Sequence, residues 1–269
     1  MKKNDTLKTE KNDIITPWHD FWRKFYKQKT ALVAGIFFVI LVLIAIFCYE
    51  IAPYGINEYD YSSCLKGPSA NHWLGTDEFG RDLFSRILCG TRISLLVAFS
   101  SVTLAAIIGS LIGLISGYIG GTFDTITMSL CDVLYAFPGL ILAIAIVAIL
   151  GPGLTNVVIA VVIFRILGAS RWRILTKHIL PGALPSVIVQ YSLSISGSIM
   201  TCASLSFLGM GAMPPTPEWG LILSNSRVYI FSSIHYALFP GIAILLTVLC
   251  FNLLGDGLRS ALDPKLSEQ

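Results

Sequence analysis

The sequence predicts an all-α polytopic membrane protein with about six transmembrane helices, and three observations carry that prediction. Asp, Glu, Lys and Arg make up 13% of the 269 residues, where a soluble domain has roughly 25%. The mean hydropathy is +0.73. Apolar runs recur at about 20 residues, the length that crosses a bilayer core of roughly 30 Å at about 1.5 Å per helical residue. Disorder is excluded, because it needs low hydrophobicity with high net charge, whereas 54% of this chain is apolar and its net charge is +3. Cys48, Cys64, Cys89, Cys131, Cys202 and Cys250 are scattered singly with no CxxC or metal-ligand spacing, so they read as small apolar fillers and not as a disulfide framework.

Residues 1–30 form a basic tail. Within it, Thr16 as N-cap and Pro17 open a helix that puts Trp18, Phe21, Trp22 and Phe25 on one face and Arg23, Lys24 and Lys27 on the other. Such a helix lies on a membrane surface, a reading favoured over a partner-binding peptide. Residues 31–49 (Ala31 to Tyr49) contain no charge and form the first anchor. A cleaved signal peptide would be shorter and nearer the start.

After an external loop over residues 50–93, a core transmembrane domain over 94–255 carries spans at Ser94 to Tyr118, Ile126 to Leu150, Ser186 to Leu208 and Tyr236 to Leu254. Between the third and fifth spans, Asn156 to Phe164 gives only nine apolar residues before Arg165. It is expected to be a real but short fourth span. Residues 256–269 form the second tail. With cytoplasmic termini, 14 of the 19 Lys and Arg lie inside, and only Lys66, Arg81, Arg86, Arg92 and Arg227 lie outside. The positive-inside rule favours that orientation.

Inside the spans the sequence offers packing more than chemistry. Gly109, Gly113 and Gly117 form two overlapping GxxxG steps that would let another helix approach closely. Ser194, Ser198 and Thr201 form a hydroxyl stripe, which either lines a polar path or satisfies neighbouring hydroxyls and carbonyls. Only Asp132 stands well within an apolar run, fewer acids than a proton-coupled carrier would carry. Phosphate-loop, HExxH and GxSxG motifs are absent, and the four histidines are far apart. No catalytic or metal site and no cofactor is expected, so if the protein transports something its energy must come from a partner.

The loops are more patterned. Leu74 to Asp82 (LGTDEFGRD) pairs acids with arginines that would cross-link an external cap, surface solvation being the alternative. In Pro214 to Gly220 (PPTPEWG), prolines fix an extended path and Trp219 is expected to anchor at the outer interface. Gly168, Ala169, Ser170 and Arg171 lead through a basic stretch to Leu180 and Pro181, which reads either as a compact cytoplasmic lever or as an ordinary positive-inside loop.

Together LGTDEFGRD, GAS followed by LP, SFLGMGAMPPTPEWG and FNLLGDGLRSALDPK resemble the permease subunits of bacterial ATP-binding-cassette importers of the peptide and nickel branch. Through CDVLYAFPGLILAIAIVAILGPG and TPWHDFWRKF the chain is most similar to the second permeases of glutathione importers. The resemblance implies a type I importer subunit in the bacterial inner membrane. Such a subunit pairs with a homologous permease, rests on two cytoplasmic ATPases that bind the ATP, and receives substrate from an external binding protein. Glutathione, dipeptide, oligopeptide and nickel systems share these motifs.

One departure stands out. Where the family has an acidic residue and two alanines opening the coupling loop, this chain reads Val162-Ile163-Phe164. Roughly two dozen residues are missing between Phe164 and Arg165 by that comparison. An uncoupled permease therefore stands as an alternative, and a secondary carrier or channel is the rival from another class, to be marked by inverted repeats and intramembrane charges.

Overall fold

The computed structural model describes residues 22–23, 25–167 and 180–262, and among these every regular element is helical. The main helices are α1 (Lys29–Ile51), α2 (Leu83–Ile119), α3 (Gly121–Tyr135), α4 (Gly139–Leu150), α5 (Leu154–Leu167), α6 (Leu180–Phe207), α7 (Trp219–Ser226) and α8 (Ile234–Leu262). Among the described residues four of them are long and apolar enough to cross a membrane, and counting the bent pair α3–α4 as one span brings the number to five. The remaining expected span is α5, which is short, as its sequence indicates.

The start of the surface helix, from Thr16 to Phe21, lies outside the described residues. Its continuation is helical at Phe25 to Lys27 and breaks at Gln28 before α1 begins. Trp22 packs edge-on to Phe25 with ring centroids 6.1 Å apart, and its own ring is half exposed.

Two spans differ from the sequence expectation. The second extends back to Leu83, eleven residues before Ser94, because the Asp82 carboxylate accepts the Ser85 N–H and starts the helix inside the predicted loop. The third is not one rod. Its two halves meet at 92°, because Pro138 has no N–H to donate and disfavours helical backbone at Phe137. Pro138 itself is extended (ψ 125°) and becomes the start of α4.

The core has two layers of contact. Leu41 of α1, Leu95, Ala98 and Val102 of α2, Ile195 of α6 and Phe251 of α8 form one cluster. A second joins α4, α5 and α6 to α2 through Val97, Ala143, Val147, Val157, Val161 and Leu205. Close helix approach occurs where α8 meets α1: a Cβ on Gly257 would lie 2.3 Å from the Ala31 Cβ. Along the expected GxxxG stripe the three glycines differ among the described residues. Gly109 is buried, but Gly113 and Gly117 have no described atom within 4 Å of an added Cβ.

Candidate functional site

The loop Leu74 to Asp82 is folded around one carboxylate. Asp77 Oδ1 accepts the N–H groups of Phe79 at 2.9 Å and Arg81 at 3.0 Å, while its Oδ2 accepts Arg81 Nε at 2.7 Å. Arg86, one turn into α2, brings its Nε to 3.3 Å from the same Oδ2. Its Nη1 donates to the carbonyls of Ile56 at 2.9 Å and Pro215 at 3.4 Å. Asp77, Arg81 and Arg86 are all buried. The loop charges are therefore internal cross-links and not solvated surface charge, and a single guanidinium ties two points of the connection between α1 and α2, Ile56 and Asp77, to Pro215 in the loop before α7.

The same loop is pinned to α8. Glu78 accepts a hydrogen bond from the Tyr236 hydroxyl, and His235 Nε2 lies 3.3 Å from the Thr76 carbonyl. On its other flank, His72 Nδ1 lies 3.0 Å from Asp82 Oδ1. Gly75 turns at φ +81°, and a Cβ there would strike the Lys66 carbonyl at 2.5 Å, so this turn admits no larger residue without a shift. Together these contacts make a rigid cap over one end of the bundle. At its edge Asp60 caps the turn Tyr61–Ser63, and hydrogen bonds from Ser62 and Ser63 hold its carboxyl down to about 2.

The stretch Pro214 to Gly220 is seated against this cap. Trp219 is not an interface anchor as its position in a loop suggests: it is 1% exposed, and its indole Nε1 donates to the Ile87 carbonyl at 3.0 Å. The missed signal is Gly90. A Cβ there would sit 2.3 Å from the Pro217 carbonyl and 2.8 Å from the Trp219 ring, so the glycine makes the slot that the indole fills. Next to it Glu218 starts α7, accepting the Leu221 N–H at 2.8 Å and facing the Ser94 hydroxyl at 3.4 Å. Burial pushes its carboxyl above the ordinary value of 4.5, against the opposing pull of the Gly220 and Leu221 N–H groups and of Ser206 and Ser94.

Of the hydroxyl stripe, Ser198 is fully buried and pairs with the Ser101 hydroxyl of α2 at 2.7 Å. Thr201 donates back to the Gly197 carbonyl at 2.9 Å, and Ser194 is half-buried. At Ser198 and Thr201 the hydroxyls of the stripe are thus satisfied helix-to-helix and within the helix. An open groove of about 440 Å³ lies beside it, lined by Leu140, Met200, Ser204, Phe207, Leu223 and Ile244. The Ser204 hydroxyl in that groove is turned to the Met200 carbonyl at 2.8 Å, leaving an apolar wall.

Gly168, Ala169, Ser170 and Arg171 lie outside the described residues, while Leu180 and Pro181 open α6. Proline fits there because a first-turn N–H has no helical partner to lose. Among the described residues no cluster of His, Cys, Asp or Glu fits a metal ion. What the arrangement offers is a braced end, an apolar groove and long apolar helices.

The comparisons with known proteins agree with that arrangement. Residues 161–268 match the family of binding-protein-dependent transport system inner membrane components, and residues 16–68 match the N-terminal transmembrane domain of oligopeptide transport permease C. The chain is 50% identical over 279 residues to the glutathione transport system permease protein GsiD of Pectobacterium atrosepticum, covering 94% of this chain and 93% of that protein. The chain belongs to this permease family. The corresponding protein of Escherichia coli O1:K1 is 48% identical over 281 residues, covering 95% and 93%. As a permease of the ATP-binding-cassette importers, the chain is a transport subunit and not an enzyme. Since 94% of 269 residues is about 253, about 26 of the 279 aligned positions have no counterpart in this chain.

Proposed function

We propose that this chain is one of two permease subunits of an ATP-driven importer for small peptides, with glutathione as the substrate. The observation that carries the substrate is the 50% identity, over nearly the whole length of both chains, to a glutathione transport system permease. In this reading a homologous permease supplies the other half of the translocation path, two ATPase subunits bind the ATP, and an external binding protein delivers the peptide. The permease itself holds no cofactor. It sits in the inner membrane with both termini cytoplasmic, as the distribution of Lys and Arg favours, and the cap faces outward.

The physical role follows from the site. A rigid outer cap gives the binding protein a fixed platform, and the long helices below it pass from outward-open to inward-open packing. The open stripe at Gly113 and Gly117 is available to the partner permease, and the Gly168 to Pro181 segment is the part assigned to ATPase docking. Ser194 remains the one member of the hydroxyl stripe with no internal role assigned.

The test is capture through a tag on this chain after co-expression with its partner permease and with each candidate binding protein. Retention of the partner permease, and of a glutathione-loaded binding protein in preference to a nickel-loaded one, is the expected result. Preference for the nickel-loaded protein would move the substrate to nickel. Purified chain that moves solute without any partner would instead make it a secondary carrier.

A further inference from the structure

The uncovered face of α6 differs in kind from the uncovered faces of other long helices. On α1 the exposed positions include Val33, Ile36, Ile40, Leu43 and Phe47, and on α8 they include Leu238, Ile242, Leu245 and Leu249. These are surfaces suited to hydrocarbon. The same steps of four and three residues along α6 give Gln190, Ser194, Gly197, Thr201 and Ser204, which share one face because 3.6 residues make a turn. Gln190 and Gly197 are exposed, Ser194, Thr201 and Ser204 are half-buried, and no charged residue stands in 188–208. An uncovered primary amide in line with three hydroxyls is costly to set against lipid.

This face is the floor of a trough. On one flank α6 is held to α2 by the Ser101–Ser198 contact and by Thr103 and Tyr191, whose hydroxyls lie 2.7 Å apart. On the other it is held to α8, where Ser192 and Ser196 donate to the Phe251 and Val248 carbonyls. Neither set of contacts buries the five positions between them. The groove of about 440 Å³ lies on the part of the face nearer Phe207, lined by Leu140 of α4, by Gly241 and Ile244 of α8 and by Leu223 of α7. That volume is within the range of small-molecule sites. From Gln190 to Leu208 the face runs 18 residues, about 27 Å, close to the depth of a hydrocarbon core of roughly 30 Å.

We infer that Gln190, Ser194, Gly197, Thr201 and Ser204 line the translocation path, as this chain's share of a wall along which a polar solute passes by exchanging neutral hydrogen bonds. This rests on the subunit reading above and names where in the subunit the solute goes. Thr201 and Ser204 donate their protons to the Gly197 and Met200 carbonyls, which leaves their oxygens free to accept, and the Gln190 amide both donates and accepts. Such a lining meets the amide, ammonium and thiol hydrogens of a small peptide without a fixed charge that would hold it, and conduction needs binding weak enough to leave. Ser198, turned to Ser101 of α2, is no part of this wall.

The experiment reconstitutes the complex captured with the partner permease, the ATPase subunits and the binding protein into vesicles, with glutathione as the probe. Ser194→Cys and Thr201→Cys meet a charged, membrane-impermeant methanethiosulfonate reagent, with Leu245→Cys on the exposed apolar face of α8 as the comparison. Peptide mass spectrometry locates the modification, so the six native cysteines do not intrude. Both trough positions are expected to react at least tenfold faster than Leu245→Cys, and their modification to cut uptake at least tenfold. Reaction at both as slow as at Leu245→Cys would overturn the inference and leave the subunit reading in place, as would fast reaction with uptake unchanged. Gly197→Trp, which fills an exposed position of the floor, is expected to keep the partner permease and lose uptake at least tenfold; uptake within twofold of native overturns the inference. Should that variant fail to assemble, the labelling decides alone. A complex that assembles without taking up glutathione removes that substrate, and the labelling rates then decide the path. If no partner permease is captured, the subunit reading falls, and this inference with it.

Discussion

Asp77 and Arg86 meet across 3.3 Å at a point where their side chains are 0% and 3% exposed. Asp77 belongs to a loop and Arg86 to the first turns of α2, so this one contact fixes where the loop ends and the second span begins. Arg81 shares the same carboxylate from within the loop.

Replacing Asp77 with Ala leaves two buried guanidinium groups without their shared carboxylate. A loss of about 3–5 kcal/mol is expected for breaking a buried pair from one side. Thermal unfolding in detergent checks it, with Lys66→Ala as the comparison. The Lys66 ammonium makes a part-buried contact to the Ser63 hydroxyl, and a change of no more than about 1 kcal/mol is expected there. Equal effects of the two substitutions would refute the organising role given to Asp77.

Gly90→Ala is expected to be costly and Gly113→Ala harmless. At Gly90 the new methyl meets the Pro217 carbonyl at 2.3 Å, an overpacking that costs about 1–3 kcal/mol and expels the Trp219 indole from its slot. Tryptophan emission then shifts to the red. At Gly113 nothing described is near, and alanine in a helix interior gains about 0.5–1 kcal/mol over glycine.

Ser101 and Ser198 should be coupled. Hydroxyl pairs between membrane helices are worth about 0.6 kcal/mol on average and about 1.7 at most. A double-mutant cycle of Ser101→Ala and Ser198→Ala, read by unfolding in mixed micelles, should give an interaction energy in that range. Additive single effects would mean that the 2.7 Å contact carries no stability.

Glu218 and Asp60 give stability opposite dependences on pH. The Glu218 carboxyl is raised by burial, so between the ordinary value of 4.5 and its folded value the folded protein holds the proton more tightly than the unfolded chain. Stability therefore falls as pH rises through that window. Asp60 is lowered from 3.8 to about 2, so its contribution is complete above 3.8 and is lost as pH falls towards 2. Unfolding measured across pH should show Glu218→Gln flattening the upper slope and Asp60→Asn the lower one. A Glu218→Gln profile parallel to that of the native protein would rule out the assigned role.

Hydropathy made the spans legible, because lipid demands long apolar runs whatever the details of packing. It did not reveal the break at Pro138, although that proline is visible in the sequence, since apolar residues on both sides mask it in any count of hydrophobicity. The motif Leu74 to Asp82 was recognisable as a cap because acids and arginines alternate within reach of one another. Which of them is central was not legible, because burial decides it: Asp77 is buried against Arg86 of α2, and the neighbouring Glu78 is held by Tyr236 from far along the chain. Trp219 was misplaced for the same reason: its slot is made by Gly90, 129 residues earlier in the chain. Ser198 fell to the more ordinary of its two readings, pairing with Ser101 on another helix, a partner that periodicity along one helix does not reveal.

The cap also provides a ruler. Its loops are tied to α2 through Arg86 and to α8 through Tyr236, so probes attached to these tied segments should keep a constant separation through a working cycle. Against that fixed scale, displacement at the far ends of α2, α6 and α8 becomes directly measurable.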